Sequence, residues 1–345
     1  MNPRYRKGAT KKLSTRFEND LEKGTLSPIF ERVRKDDTLD LEIRKGYINI
    51  YYRGGSIAKI EENAGGYISS FDKNYIAKTR LAALRGKAVL RIFHSSHADI
   101  WVENIPTLKN EMDLFLTKKP KLEREIQQHI TRINNRSPIS NETDYFITDI
   151  EYSVKIKKKE KEKNARFDMV ALRWDATPDA RKRTKADKRH PDLLRIAFIE
   201  NKFGDNALDE GSGPNNNLNE GSGQKNSLNG GSGLKGHLED FSAFIKSRHY
   251  KNHVARNILY AYNFKFESGL ISCRQKASPI SLSTEKPELI FLIANHKPSN
   301  GKLRKVLNSI SPPSDFDLRF IFANFMGYGL YSRKTHSLDE VKKRL

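Results

Sequence analysis

One stretch constrains this chain more than any other, Arg195-Ile-Ala-Phe-Ile-Glu-Asn-Lys202. Ile196 and Phe198 alternate with Ala197 and Ile199, so both faces are apolar at its start, as in a strand covered on both sides within a sheet. Its end changes character abruptly. Glu200 and Lys202 are two residues apart and therefore share one face of the strand. Upstream, Arg166-Phe-Asp-Met-Val-Ala-Leu172 sets Asp168 at the end of a similar apolar run with Val170 and Leu172. Two carboxylates and a lysine at the margin of a buried sheet are costly unless something compensates them. A divalent metal ion suits that role.

Charge narrows the partner. The 63 Lys and Arg against 42 Asp and Glu leave a formal charge of +21, which favours a polyanion, nucleic acid ahead of an anionic membrane. The blander reading is a ribosome-associated or merely solubilising charge. Cys273 stands alone, so neither a disulfide framework nor a cysteine-rich zinc site is expected, and a reducing cytoplasm fits. No apolar run approaches the roughly 20 residues that span a bilayer, so no membrane partner is expected. The basic start (Arg4, Arg6, Lys7, Lys11, Lys12) has no apolar stretch behind it and does not read as a secretory signal.

In chain order, a helix is predicted from about Thr15 to Arg34, with Gly24 and Pro28 as its breaking points. Leu39 to Ile43 and Tyr47 to Tyr52 alternate about a Lys45-Gly46 turn. Short strands follow at Ile57 to Ile60 and Tyr67 to Phe71, then helix from Asn74 to Leu84 and again from Asn104 to Leu116. Residues 1–115 thus read as a smaller helix and antiparallel-sheet region, free to bind nucleic acid, pair subunits in a homodimer or meet another protein. Residues 116–345 read as the larger α/β domain. It opens on a helix started by Pro120, striped by Leu122, Ile126, Ile130 and Ile133, with Glu123 and Glu125 on its shoulders. These two glutamates either reach over a sheet or sit solvated in a first turn that favours them.

A strand from Tyr145 runs into the charged segment Lys155 to Lys163, the tip of a hairpin returning through Phe167 to Trp174. A second basic loop, Asp175 to Asp192, carries Arg181, Lys182, Arg183, Lys185, Lys188 and Arg189, placed to neutralise phosphate. Within 205–235 a ten-residue unit repeats: Leu208-Asp-Glu-Gly-Ser-Gly, Leu218-Asn-Glu-Gly-Ser-Gly, Leu228-Asn-Gly-Gly-Ser-Gly. Gly, Ser and Asn cannot bury a core, so this insert reads as a flexible linker. Helix from Leu234 to Arg248, strand or helix at Ile258 to Tyr262, a buried strand at Leu289 to Ala294, strands at Arg319 to Ala323 and Gly329 to Tyr331, and a capping box of Ser337 with Glu340 complete the pattern. The pairs His94/His97 and His249/His253 lack a third ligand and read as structural.

The order helix, strand, Asp168 strand, Glu200-Asn-Lys202 strand, helix, strand resembles the PD-(D/E)XK nuclease superfamily, over about Lys118 to Ala294. Two departures stand out: no proline precedes Asp168, and 32 residues separate it from Glu200. Glu340-Val-Lys342 repeats the triplet spacing, but on a predicted helix, where i and i+2 diverge. The resemblance implies a restriction-endonuclease-like mixed sheet flanked by helices and Mg²⁺-dependent cleavage of DNA, with Mn²⁺ an accepted substitute and RNA left open. It implies Asp168 and Glu200 as metal ligands, Lys202 assisting the attacking water, and a helix glutamate, Glu125 or its substitute Glu123, completing the metal shell. The chemistry agrees, because hard carboxylate oxygens suit Mg²⁺ and a lysine offsets phosphate charge. The competing expectation is a nucleic-acid-binding protein with a nuclease-like fold and an idle site, for which the charge alone suffices.

Overall fold

Alternating apolar residues about tight turns build the first sheet of the computed structural model, which describes residues 7–80, 84–158, 161–176, 193–204, 208, 233–273, 281–295, 301–323, 330, 332 and 335–344. The protein is mixed α/β, with two sheets flanked by helices among the described residues. It divides into two units, Met1–Ser140 with Arg256–Cys273, and Asn141–Ala255 with Arg274–Leu345.

The first unit holds an antiparallel meander of β1 (Leu39–Ile43), β2 (Tyr47–Tyr52), β3 (Gly55–Asn63), β4 (Gly66–Ser70) and β5 (Val89–Ile92), adjacent in that order. Gly46, at φ +78°, makes the expected β1–β2 turn. The leading helix is split into Thr15–Glu22 and Ser27–Lys35, broken around Gly24 and restarted with Pro28 in its first turn. The β2–β3 turn uses left-handed Arg53 and Gly54. A Cβ on Gly54 would lie 2.3 Å from the Arg124 carbonyl oxygen, so only glycine allows the Leu122–Asn135 helix to dock there. Gln128 of that helix completes the dock. Its Oε1 accepts the Gly54 N–H at 2.6 Å, and its Nε2 donates to Thr38 O at 2.9 Å and Tyr51 O at 3.1 Å.

These contacts move the boundary. The helix that the sequence placed at the head of the 116–345 domain packs in the first unit, as does Ala255–Glu267, from which Lys265 reaches Glu42 at 2.7 Å. Ala255–Glu267 is a helix, settling the strand-or-helix ambiguity at Ile258 to Tyr262. Asn74 to Leu84 is not one helix: short 3-10 turns occupy Lys73–Tyr75 and Lys78–Arg80. The next helix is longer than expected, Ser95–Lys118, running through Pro106 because its buried stripe (Ala98, Trp101, Ile105, Leu108, Met112) outweighs one lost backbone hydrogen bond.

The second unit is built on a mixed sheet in the order β11 (Asp317–Ala323), β10 (Glu288–Ala294), β8 (Leu193–Phe203), β7 (Lys161–Arg173), β6 (Tyr145–Lys158), with the short β9 (Ser281–Leu282) beside β8. β6, β7 and β8 pair antiparallel, whereas β8, β10 and β11 run parallel. Every residue of β10 is buried, as its unbroken apolar run requires of a parallel strand with both faces covered. The β6–β7 hairpin pairs out to Lys158 and Lys161. The expected basic loop (177–192), most of the repeat insert (209–232) and most of the Gly329–Tyr331 strand lie outside the described residues. The capping box is present, with Ser337 N–H donating to Glu340 and Glu340 N–H to Ser337. Glu340-Val-Lys342 does fall on a helix, Leu338–Arg344.

One face of β7 and β8 carries an aromatic core that fixes the Leu234–Lys246 helix. Phe198 stands 5.1 Å from Phe241 and 5.3 Å from Phe244, and Phe167 stands 4.8 Å from Phe244 between ring centroids. Aromatic burial of this extent dominates local packing energetics. It fixes the start of that helix beside the end of β8.

Candidate active site

β7 and β8 pair in register through Met169↔Ile199, and Asp168 and Glu200 are the next residue on each strand, where the pairing stops. There Asp168 Oδ2 accepts the backbone N–H of Asn201 at 2.8 Å. Glu200 is 2 % exposed and Lys202 6 %, with Lys202 Nζ 3.9 Å from Glu200 Oε2. Both stand at the carboxyl end of a strand paired in parallel with β10, opposite Phe291 and Ile293. The carboxyl edge of parallel strands is where α/β sheets place ligands. Gly204, at φ +71°, then turns the chain away, its N–H donating to Ala294 O at 2.8 Å.

The cluster is electrostatically strained. Burial pushes the Asp168 carboxyl above its ordinary pKa, while the Lys202 charge and the Asn201 N–H pull it back and Glu151 adds to the rise. Arg166, two residues before Asp168, is held above its ordinary value. Burial opposes that, but the carboxylates of Glu151, Asp168 and Glu200 outweigh it. Arg166 is clamped by the Glu151 carboxylate. Glu151 itself has φ +54°, a left-handed conformation uncommon for a residue inside a strand.

Of the four residues expected from the sequence, Asp168, Glu200 and Lys202 are neighbours here. Glu125 belongs to the first unit, where its carboxylate lies 3.0 Å from Arg53 Nη2 in a doubly bonded ion pair, and Glu123 is on the same helix. The cluster described is built wholly from the second unit. Among the described residues no group of three or more His, Cys, Asp or Glu side chains is disposed to hold a metal ion. Mg²⁺ is ordinarily held by only one or two carboxylates, with water and substrate phosphate supplying the rest. The hard oxygens of Asp168 and Glu200 are such a set, so the donors fit that ion.

Two neighbours were missed by sequence reasoning. Glu151 carries no local signal beyond its place in a charged strand. His237 does: with Phe241 and Phe244 it falls at i, i+4 and i+7, a polar residue on the inward stripe of the Leu234–Lys246 helix. Its Nε2 lies 3.0 Å from Lys202 Nζ and its Nδ1 3.4 Å from Glu200 Oε2. The two histidine pairs sit in tilted ring contact, His94 with His97 at 5.6 Å and His249 with His253 at 5.4 Å between centroids, with His249 Nε2 3.2 Å from the Tyr152 hydroxyl. No helix is long and apolar enough to cross a membrane among the described residues. The chain matches no family model, no curated protein and no solved structure.

Proposed function

We propose that the chain is a Mg²⁺-dependent nuclease that hydrolyses phosphodiester bonds in DNA, its second unit being a PD-(D/E)XK-like catalytic fold. The observation that carries this reading is the meeting of Asp168, Glu200 and Lys202 at the point where β7 and β8 stop pairing. When bound, Mg²⁺ supplies Lewis-acid polarisation of the phosphoryl group and eases deprotonation of water. Asp168 and Glu200 would hold it. Asp168 is oriented for that by the Asn201 N–H, which fixes one carboxylate oxygen. Lys202 presents a donor-only ammonium that orients the attacking water and offsets charge on the phosphate. Arg166, partly exposed beside the same carboxylates, adds positive charge on the open side.

DNA as partner rests on the +21 charge, and a reducing cytoplasmic setting rests on the single cysteine. The competing reading, a binding protein with an idle site, is favoured by the same charge. It is disfavoured by the buried Glu200 and Lys202, which a pure binding surface has no use for.

The test is incubation of plasmid and linear DNA with the chain in Mg²⁺, Mn²⁺ or chelator. Cleavage should need the metal. Glu200→Ala and Lys202→Ala should each abolish it while DNA binding persists. Metal-dependent cleavage that survives in both variants, or its absence from the native chain, would exclude this active site.

A further inference from the structure

His237 lies between both ends of the Glu200–Lys202 pair, its Nε2 at hydrogen-bond distance from Lys202 Nζ and its Nδ1 3.4 Å from Glu200 Oε2, although nothing in the Glu-x-Lys pattern calls for it. We propose that His237 is a positioning residue for the site. Held as the Nδ1–H tautomer, it accepts a hydrogen bond from Lys202 and turns a donor toward Glu200, keeping the ammonium off the carboxylate. The inference rests on the nuclease reading and deepens it.

The tautomer follows from the partners. An ammonium has three donors and no acceptor, so the His237 Nε2 that faces Lys202 Nζ at 3.0 Å must offer its lone pair. A neutral imidazole then carries its proton on Nδ1, the nitrogen 3.4 Å from Glu200 Oε2. The opposite tautomer sets N–H against N–H on one side and a lone pair against a carboxylate on the other. Geometry therefore admits one arrangement, running donor to acceptor from Lys202 through the ring to Glu200.

The ring is not free to drift. His237 lies one turn before Phe241, which packs on Phe198, itself two residues before Glu200 on β8. Phe291 of β10 stands edge-on to the imidazole at 6.4 Å between centroids. Strand and helix thus hold donor and acceptor on opposed, packed elements.

What this achieves is a gap. Lys202 Nζ and Glu200 Oε2 are 3.9 Å apart, whereas a direct ammonium–carboxylate hydrogen bond closes to about 2.8 Å. Such a bond would occupy the oxygen that the cation needs and would turn the ammonium away from the phosphate. With one N–H committed to His237, the lysine is tethered short of the carboxylate and keeps two donors for water and substrate.

The experiment compares the full native chain with His237→Ala, His237→Gln and His237→Asn in Mg²⁺-dependent DNA cleavage, with thermal melts to confirm folding. His237→Ala should lower kcat by about 10- to 100-fold, the usual cost of losing a partner that orients a site, with KM for DNA nearly unchanged. The Gln amide oxygen reaches the position of Nε2, so His237→Gln should recover most of the loss. Asn reaches only the Nδ1 position and should not. Independently, ¹⁵N spectra of the histidine-labelled native chain, with His237 assigned by its loss in His237→Gln, should show a protonated Nδ1. An Nε2–H tautomer overturns the proposal, as does full activity in His237→Ala or a folded His237→Gln as impaired as Ala. Should Ala or Asn fail to fold, the Gln variant and the native tautomer decide. If the native chain cleaves nothing with any metal, the nuclease reading fails and this role falls with it. If it cleaves but the variants are unaffected, only the role of His237 fails.

Discussion

Lys202→Met should destabilise the second unit by several kcal/mol, and Mg²⁺ or Mn²⁺ should return much of the loss. Methionine keeps most of the buried stem and removes the charge alone. With Nζ 3.9 Å from Glu200 Oε2, Coulomb attraction at an effective dielectric of about 20 is about 4 kcal/mol. Breaking a buried ion pair by deleting one partner costs about 3–5 kcal/mol, which agrees. The cheapest relief is a proton on Asp168, since Lys202 is the largest influence holding that carboxyl down and each further pKa unit is worth about 1.4 kcal/mol. A carboxyl whose folded pKa lies above its unfolded value binds protons more tightly when folded. Its penalty is therefore absent at low pH and grows as pH rises from the unfolded value to the folded one. The loss in Lys202→Met should accordingly be larger at pH 8 than at pH 5. A divalent cation at 100 times its dissociation constant would add about 2.7 kcal/mol and stand in for the ammonium. The two tryptophans allow the units to be read separately, Trp101 in the first and Trp174 in the second, both buried. Denaturant titration followed at Trp174 in a Trp101→Phe background gives the number. A loss under about 1 kcal/mol without metal, or a loss that grows toward acid, would refute the electrostatic reasoning.

Two further outcomes test the first unit. Lys265→Met strands Glu42, whose partner lies 2.7 Å away with side chains 3 % and 1 % exposed, and should cost about 3–5 kcal/mol at Trp101 in a Trp174→Phe background; adding Glu42→Gln should recover part of it, and simple additivity would show the pair is not coupled. Asp40 is 5 % exposed, burial pushes its carboxyl up, and its Oδ2 has no hydrogen-bond partner among the described residues, so Asp40→Asn should stabilise the chain by an amount that grows as pH rises through the carboxylate range; a pH-independent difference in denaturation midpoint would contradict this sign.

Local periodicity carried most of what could be read in advance. Alternation about Lys45-Gly46 located β1 and β2, and the unbroken apolar run Leu289 to Ala294 located β10 with both faces covered. The division into units was not legible. It depends on Lys265 meeting Glu42 and on Tyr260 OH donating to Glu18 at 2.5 Å, pairings across more than 200 residues that no window of sequence contains. The Leu122–Asn135 helix shows the same limit. Its stripe identified a buried face but not which sheet covers it, and Gln128, the residue that docks it, is a polar side chain among polar neighbours.

The candidate site divides along the same line. Glu200 and Lys202 were legible because a two-residue period on a buried strand fixes their common face whatever the rest of the chain does. Asp168 was legible for a related reason, since antiparallel neighbours of similar apolar length pair at their ends. The third carboxylate was assigned to Glu125 on element order alone, and order cannot say which unit a helix joins. Glu151, which the sequence did not single out, acts on Asp168 from a left-handed position inside β6 that no propensity anticipates. Its presence alters the charge balance. Asp168, Glu151 and Glu200 face Arg166 and Lys202, three carboxyl groups beside two cationic side chains. A buried carboxyl whose charged form is disfavoured takes up either a proton or a cation. The raised carboxyl of Asp168 is the first solution, and the proposed Mg²⁺ is the second. The two compete for the same oxygens, so metal binding to this site should release protons as pH falls toward the Asp168 value. A proton count that stays at zero in calorimetric titrations of Mg²⁺ across buffers of different ionisation enthalpy would remove Asp168 from the ligand set.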